Sequence, residues 1–229
     1  TNVVRVRRSS DNTEQDFTAT EITDGTLATF CSGTDGFVAI WYDQSGSNRD
    51  ATQQSATIQS KLVLNGVINS QNGKPAINFN DDRYDFSTIN TINDLSSIFA
   101  VVENNGDSDC KVIVADQTTS GDMQLRLTNT DLYSIRTNQA IITSMTAPVG
   151  VTNLITSLSD ISSVDLKVNG ITQTGTTPPA SNNGINQIGY AVAGCYFIGN
   201  MQEIIIYTSD QTANQTGIET NINTEYTIY

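Results

Sequence analysis

Histidine is missing altogether from the 229 residues. Without it no Ser-His-Asp or Cys-His nucleophile, no imidazole base and no histidine-ligated zinc or haem can be assembled. Lysine and arginine are scarce as well, 11 against 24 acids, for a formal net charge of −13. Arg5, Arg7 and Arg8 stand in an acid-free opening of eight residues, and no Lys or Arg follows Lys167. Nucleic-acid binding depends on such side chains neutralising phosphates. Nucleic acid is therefore not expected as a partner, and neither is an anionic lipid surface. No apolar run approaches the roughly 20 residues of a membrane-spanning helix, so membrane insertion is not expected either.

Cysteine occurs three times, at 31, 110 and 195, with no C-x-x-C pair. An odd, widely spaced set reads as three buried thiols, with one Cys110–Cys195 bridge and a free Cys31 as the alternative. The opening, TNVVRVRRSS, is polar and strand-like and shows no export signal. A removed address, membership of a longer chain and another export route all fit it.

What the chain does have is strand. Runs rich in Val, Ile, Thr, Tyr and Phe recur at 3–7, 37–42, 61–64, 75–79, 97–103, 111–115, 123–128, 153–159, 164–168, 185–190 and 202–207. Several alternate: Met123, Leu125 and Leu127 oppose Gln124, Arg126 and Thr128, the mark of an antiparallel sheet with one wet face. Asn65-Gly66, Asn72-Gly73 and Asn169-Gly170 are hairpin signals, because both residues tolerate positive φ. Residues 176–184 read as an irregular loop. Only the C-terminus reads helical, from an N-cap at Ser209 or Asp210 to about Thr224, with Ile218, Ile222 and Tyr226 on one stripe. No repeat or linker interrupts the pattern. The expected fold is an all-β antiparallel sandwich, a jelly roll with one short C-terminal helix, as one domain over 1–229.

The segments VRVRRSSDNTEQD, WYDQSG followed by DATQ, and NGKPA together resemble a concanavalin A-like, laminin-G-like module of bacterial surface proteins and bacteriophage structural and tail proteins. The closing pattern VDLKVNG, INQIGYA and FIGNMQEIIIY followed by a helix is similar to the same module. The VRRSSD and YDQSG pair also resembles the start of the catalytic domain of family 54 α-L-arabinofuranosidases. That family's adjacent Cys-Cys pair and Glu-bearing segment are not evident. The Glu-x-Asp-x-x-Glu strand pattern of related glucanases stops at Glu14 and Asp16, with Ala19 in the last place.

The laminin-G-like resemblance implies a non-catalytic structural or adhesive module on a virion or outside the cell. Its expected partners are other virion or surface proteins, a second copy of itself, and a host-surface glycan. The alternative is a glycoside hydrolase of α-L-arabinofuranosidase type, with Glu103 and Glu203 as the strand-centred glutamates. Ligand contacts are expected from Asp43, Gln44, Asn48, Asp50 and Tyr84, at the rim where loops present polar groups. Arg7, Arg8, Asp11 and Asp43 are expected to form a structural ion-pair network, since Arg pairs bidentately with carboxylates. Asp81, Asp82 and Asp85 read either as a solvated loop or as a Ca²⁺ site, because Ca²⁺ takes carboxylate and carbonyl oxygens. Asp107 and Asp109 form a weaker cluster of the same kind. Trp41 is expected in the core, not as a sugar platform.

Overall fold

The computed structural model describes residues 1–92, 96–105, 110–116, 123–128, 130, 132–137, 140–146, 148–160, 163–175, 183–191 and 194–229. Alternation along the strands produces two stacked antiparallel layers. The first runs, edge to edge, through Ile171–Gly175, Val164–Val168, Thr152–Ser159, Ser96–Asn104, Cys195–Tyr207, Ile77–Asp82, Lys61–Leu64, Gly36–Trp41, Asn2–Arg8 and Glu14–Thr18. The second comprises Tyr84–Ile92, Asn183–Ile188, Lys111–Ala115, Gln124–Leu127, Leu132–Thr137 and Ala140–Thr146. Ala51–Thr52 pairs with Gly36–Trp41 on one side and Tyr84–Ile92 on the other, which joins the layers at one corner.

Between the layers sits the main core. Val6, Val38, Phe79, Val102 and Met201 from the first meet Leu125, Leu127, Tyr133 and Ile135 from the second, all of them fully buried. Each such side chain contributes about 1.5–3 kcal/mol through burial. Trp41 is half-buried and packs against this cluster. All three Asn-Gly pairs turn as their chemistry demands, with positive φ at both residues.

Half of the first layer's outer face is covered. Phe99, Val101, Leu154 and Leu158 point away from the core and pack under the helix Gln215–Tyr226, which buries Ile222 and lays Ile218 and Tyr226 beside it. The helix begins later than the sequence suggests. The Asp210 carboxylate accepts the Thr212 N–H at 2.8 Å, closing a turn, and Asn214 takes the N-cap position. Glu219 ties the helix down by accepting from Thr156 Oγ1 at 2.8 Å and from Lys167 Nζ at 3.2 Å.

Two short helices, Ala19–Thr23 and Thr26–Phe30, depart from the expectation of a single C-terminal one. Thr18 accepts the Glu21 N–H while Glu21 accepts the Thr18 N–H, a reciprocal cap. Its signature, Thr-x-x-Glu, was present in the sequence. The reading of three buried thiols is also corrected: Cys110 and Cys195 are joined in a disulfide. The strand Tyr190–Ala191 pairs with the start of Cys195–Tyr207, and both pack on Val112 and Ala115. That brings Cys195 beside the residue preceding Lys111–Ala115. Cys31 is buried and free, and burial pushes its thiol up to about 11.

Candidate functional site

Residues directly opposed in an antiparallel ladder point to the same side, about 5 Å apart. On the uncovered half of the first layer this sets up one row across eight strands: Glu14, Arg7, Phe37, Lys61, Asn78, Asn200, Glu103 and Thr152. Alternation sends Val6, Val38 and Phe79 inward and leaves this row outside. The row is therefore polar along almost its whole length.

Its members are locked by one another. Asn200 donates Nδ2 to Glu103 Oε2 at 2.5 Å, and its Oδ1 accepts from Asn69 at 2.9 Å and Asn78 at 3.1 Å. Lys61 pairs with Asp35 at 2.8 Å. The Phe37 ring meets the Arg7 guanidinium at 5.0 Å and the Lys61 ammonium at 5.4 Å, so its π-face is engaged by cations.

Above this row lies a cleft of about 520 Å³ whose walls include Gln59, Lys61, Asn69, Asn78, Asn80 and Asp82. That size falls in the range of small-ligand sites. Asn80 is exposed in this wall, and an amide both donates and accepts, which suits a ligand bearing hydroxyl groups. Asp82 is the one carboxylate in the cleft wall among the described residues, and it is 8% exposed. Burial pushes its carboxyl above the usual range, although it accepts the Asn80 N–H at 3.0 Å. A carboxyl that binds its proton more tightly than usual in a cleft is a candidate proton donor.

The residues singled out from sequence are placed differently. Asp43 serves its own turn: it accepts the N–H of Ser45 at 2.8 Å and of Arg49 at 3.0 Å. Burial opposes its ionisation, yet those N–H groups hold it below the ordinary carboxylate range. Asp50 accepts the Asp43 N–H, Gln44 donates to the carbonyls of Asn2 and Tyr42, and the Asn48 carbonyl accepts from Ser87. These groups build the DQSG loop. Tyr84 lies wholly inside, its hydroxyl donating to the Val38 carbonyl and accepting the Ser60 N–H. It holds the corner between layers instead of facing a rim.

Of the expected ion-pair network, Arg8 and Asp11 pair bidentately, at 2.7 and 2.9 Å. Arg7 instead donates to Gln59 at 2.7 Å and Asn12 at 2.8 Å, and Asp43 stays with its loop. Arg5 supplies a pair not foreseen, with Asp16 at 2.7 Å. Asp81, Asp82 and Asp85 diverge. Asp81 is exposed at φ 62°, Asp82 turns into the cleft, and Asp85 accepts from Gln187 at 2.6 Å. No group of three His, Cys, Asp or Glu side chains able to hold a metal exists among the described residues. Asp107 and Asp109 lie outside those residues. Glu203 faces Tyr226 of the terminal helix, and burial raises its carboxyl. The amides Asn78, Asn80 and Asn200 went unread in the sequence, although Asn78 and Asn80 alternate with Ile77 and Phe79 as a wet face should.

No protein-family model matches the chain, and no curated protein does. Solved structures do. A family 54 α-L-arabinofuranosidase soaked with 4-nitrophenyl α-L-arabinofuranoside matches with a TM-score of 0.76 at 14% identity, over 97% of this chain and 59% of that one. An arabinofuranosidase complexed with arabinofuranosyl-α-1,2-xylobiose matches at 0.71, with 15% identity over 97% of this chain and 58% of the other. The chain shares the fold of these arabinofuranosidases. It spans about 59% of their length. Trypanosoma rangeli sialidase in complex with sialic acid matches less well, at 0.53 and 12% identity over 82% of this chain and 31% of that one. These matches overturn the expectation of a non-catalytic virion or surface module with phage and adhesion roles. Over nearly the whole chain the fold follows glycosidases, so the arabinofuranosidase half of the sequence resemblance is the one the structure supports.

Proposed function

We propose that this chain is a glycoside hydrolase domain of α-L-arabinofuranosidase type, with the amide-lined cleft as its sugar-binding surface. The backbone match over 97% of the chain carries the reading. Asn80, exposed in the cleft wall, and Asn78 beside it would meet furanose hydroxyls, and Asp82 in the same wall would protonate a departing glycosidic oxygen. Glycoside hydrolysis needs a second carboxylate. Glu103, held by Asn200 in the polar row beneath the cleft, is the second carboxylate of this reading, and Glu103→Gln should abolish hydrolysis as Asp82→Asn does.

The experiment is release of nitrophenol from 4-nitrophenyl α-L-arabinofuranoside by the purified chain, compared with a panel of nitrophenyl pyranosides. Hydrolysis confined to the furanoside, and lowered at least about 100-fold by Asp82→Asn, is the expected result. A folded protein inactive on every furanoside overturns the reading.

A further inference from the structure

The outer face of the second layer carries a cluster unconnected with the cleft. Met123, Leu125 and Leu127 enter the core, so Gln124 and Arg126 point outward. On the next strand Tyr133 and Ile135 point in, so Ser134 and Arg136 point out. The register sets Arg126 opposite Ser134 and Gln124 opposite Arg136. Four polar side chains thus share a patch two strands wide.

The Arg126 guanidinium folds back along its own strand. Nη1 donates to Gln124 Oε1 at 3.1 Å and Nε reaches the Leu127 carbonyl at 3.4 Å. Arg5, Arg8, Lys61, Lys74 and Lys167 each have a carboxylate partner. Among the described residues neither Arg126 nor Arg136 has one, in a chain with 24 acids. Burial and the neighbouring charge of Arg136 both disfavour the charged form of Arg126. Ser134 is fully buried, and its hydroxyl has no hydrogen-bond partner. Two like charges beside an idle buried hydroxyl are unfavourable on their own. They become favourable once an anion accepts from all three, because charge-assisted bonds from Arg are short and strong.

We propose that Arg126, Arg136 and Ser134, steadied by Gln124, bind the carboxylate of an acidic sugar, a hexuronic acid within a glycan. The sugar part of this inference rests on the carbohydrate-active reading above, whereas the anion part rests on the cluster alone. The planar fork of each arginine matches a carboxylate oxygen pair, and the Ser134 hydroxyl supplies a third donor. Gln124 keeps the Arg126 fork from swinging away.

The test is calorimetric titration of the whole chain with trigalacturonate and with neutral galactotriose, at low and high salt. The acidic trimer is expected to bind at least about tenfold more tightly, with the advantage shrinking as salt rises. Arg126→Gln and Arg136→Gln should each erase the preference. Arg136→Lys, which keeps the charge and the fold but not the fork, should restore only part of it. Equal affinity for the two trimers, or a preference untouched by all three variants, overturns the site. Acetate and inorganic phosphate serve as competitors: displacement only far above the trimer's own concentration supports a sugar site, and equal potency overturns it. Arabinofuranoside hydrolysis measured on the same preparations reports the function separately, so either reading can fail without the other.

Discussion

Asn200 stands directly opposite Glu103 and donates its amide to that carboxylate at 2.5 Å, while its oxygen accepts from both Asn69 and Asn78. Three strands and the 65–76 segment are thereby tied through one side chain. Replacing it leaves a nearly buried carboxylate and two amide donors without their partner. Asn200→Ala should cost about 2–3 kcal/mol, read as a shift of the urea midpoint at unchanged slope. A midpoint within error of the parent would show that Glu103 does not depend on this amide.

Asp82 gives a pH dependence whose sign is fixed by its raised carboxyl. The folded state holds the proton more tightly than the unfolded chain, where aspartate titrates near about 3.9. The favourable contribution is therefore full below that value and lost as pH rises through the folded pKa. Asp82→Asn should stabilise the protein near neutrality and make little difference at about pH 3. Thermal melts of both proteins across that range provide the check, and a gap that widens towards acid would contradict the assignment.

The thiols can be counted by alkylation. Native protein should take up no label, because Cys31 is buried with its thiol raised to about 11 and the other two are bonded. Denaturant alone should expose one site, and denaturant with reductant all three. The bridge spans 85 residues, so its loss in a Cys110→Ser, Cys195→Ser double variant should cost roughly 4.5 kcal/mol by the loop-entropy account. Labelling of the native protein by more than one equivalent would mean that the bridge is not formed.

Gly199 and Gly73 make a matched pair. Both have positive φ, 144° and 72°, but a Cβ at Gly73 would meet open space while one at Gly199 would run into the Glu103 carbonyl. Gly73→Ala should cost about 1 kcal/mol from backbone strain alone, and Gly199→Ala well over about 2 kcal/mol with local displacement of the Glu103 strand. Similar losses in denaturant titrations would remove the steric distinction.

Much of the architecture could be read in advance because local chemistry and tertiary packing agree. The strands 61–64, 111–115 and 164–168 coincide with Lys61–Leu64, Lys111–Ala115 and Val164–Val168, and the Asn-Gly turns fall where hairpins need them. What escaped were elements whose order comes from neighbours. Tyr84–Ile92 lacks a clean apolar alternation and is held by ladders to Asn183–Ile188 and Ala51–Thr52. The DQSG loop reads as a binding rim in the sequence because Asp, Asn and Gln carry polar groups that nothing local claims. Folding spends the side chains of Asp43, Asp50 and Gln44 on N–H and carbonyl partners in and beside the loop, while Asn48 takes part through its main-chain carbonyl. The cleft amides were the reverse case. Asn78 and Asn200 are 122 residues apart along the chain, and only the ladder between their strands sets them side by side, with Asn69 reaching in from the neighbouring segment.

The terminal helix shields Phe99, Val101 and Leu154, and its ionic ties reach back to Lys74 and Lys167. A protein clipped before Gln215 would keep its ladders yet present a greasy flank to water. Such a species should self-associate while its strand signal in circular dichroism persists. Proteolytic wear at this end would thus show itself first as clumping, ahead of any unravelling of the sandwich.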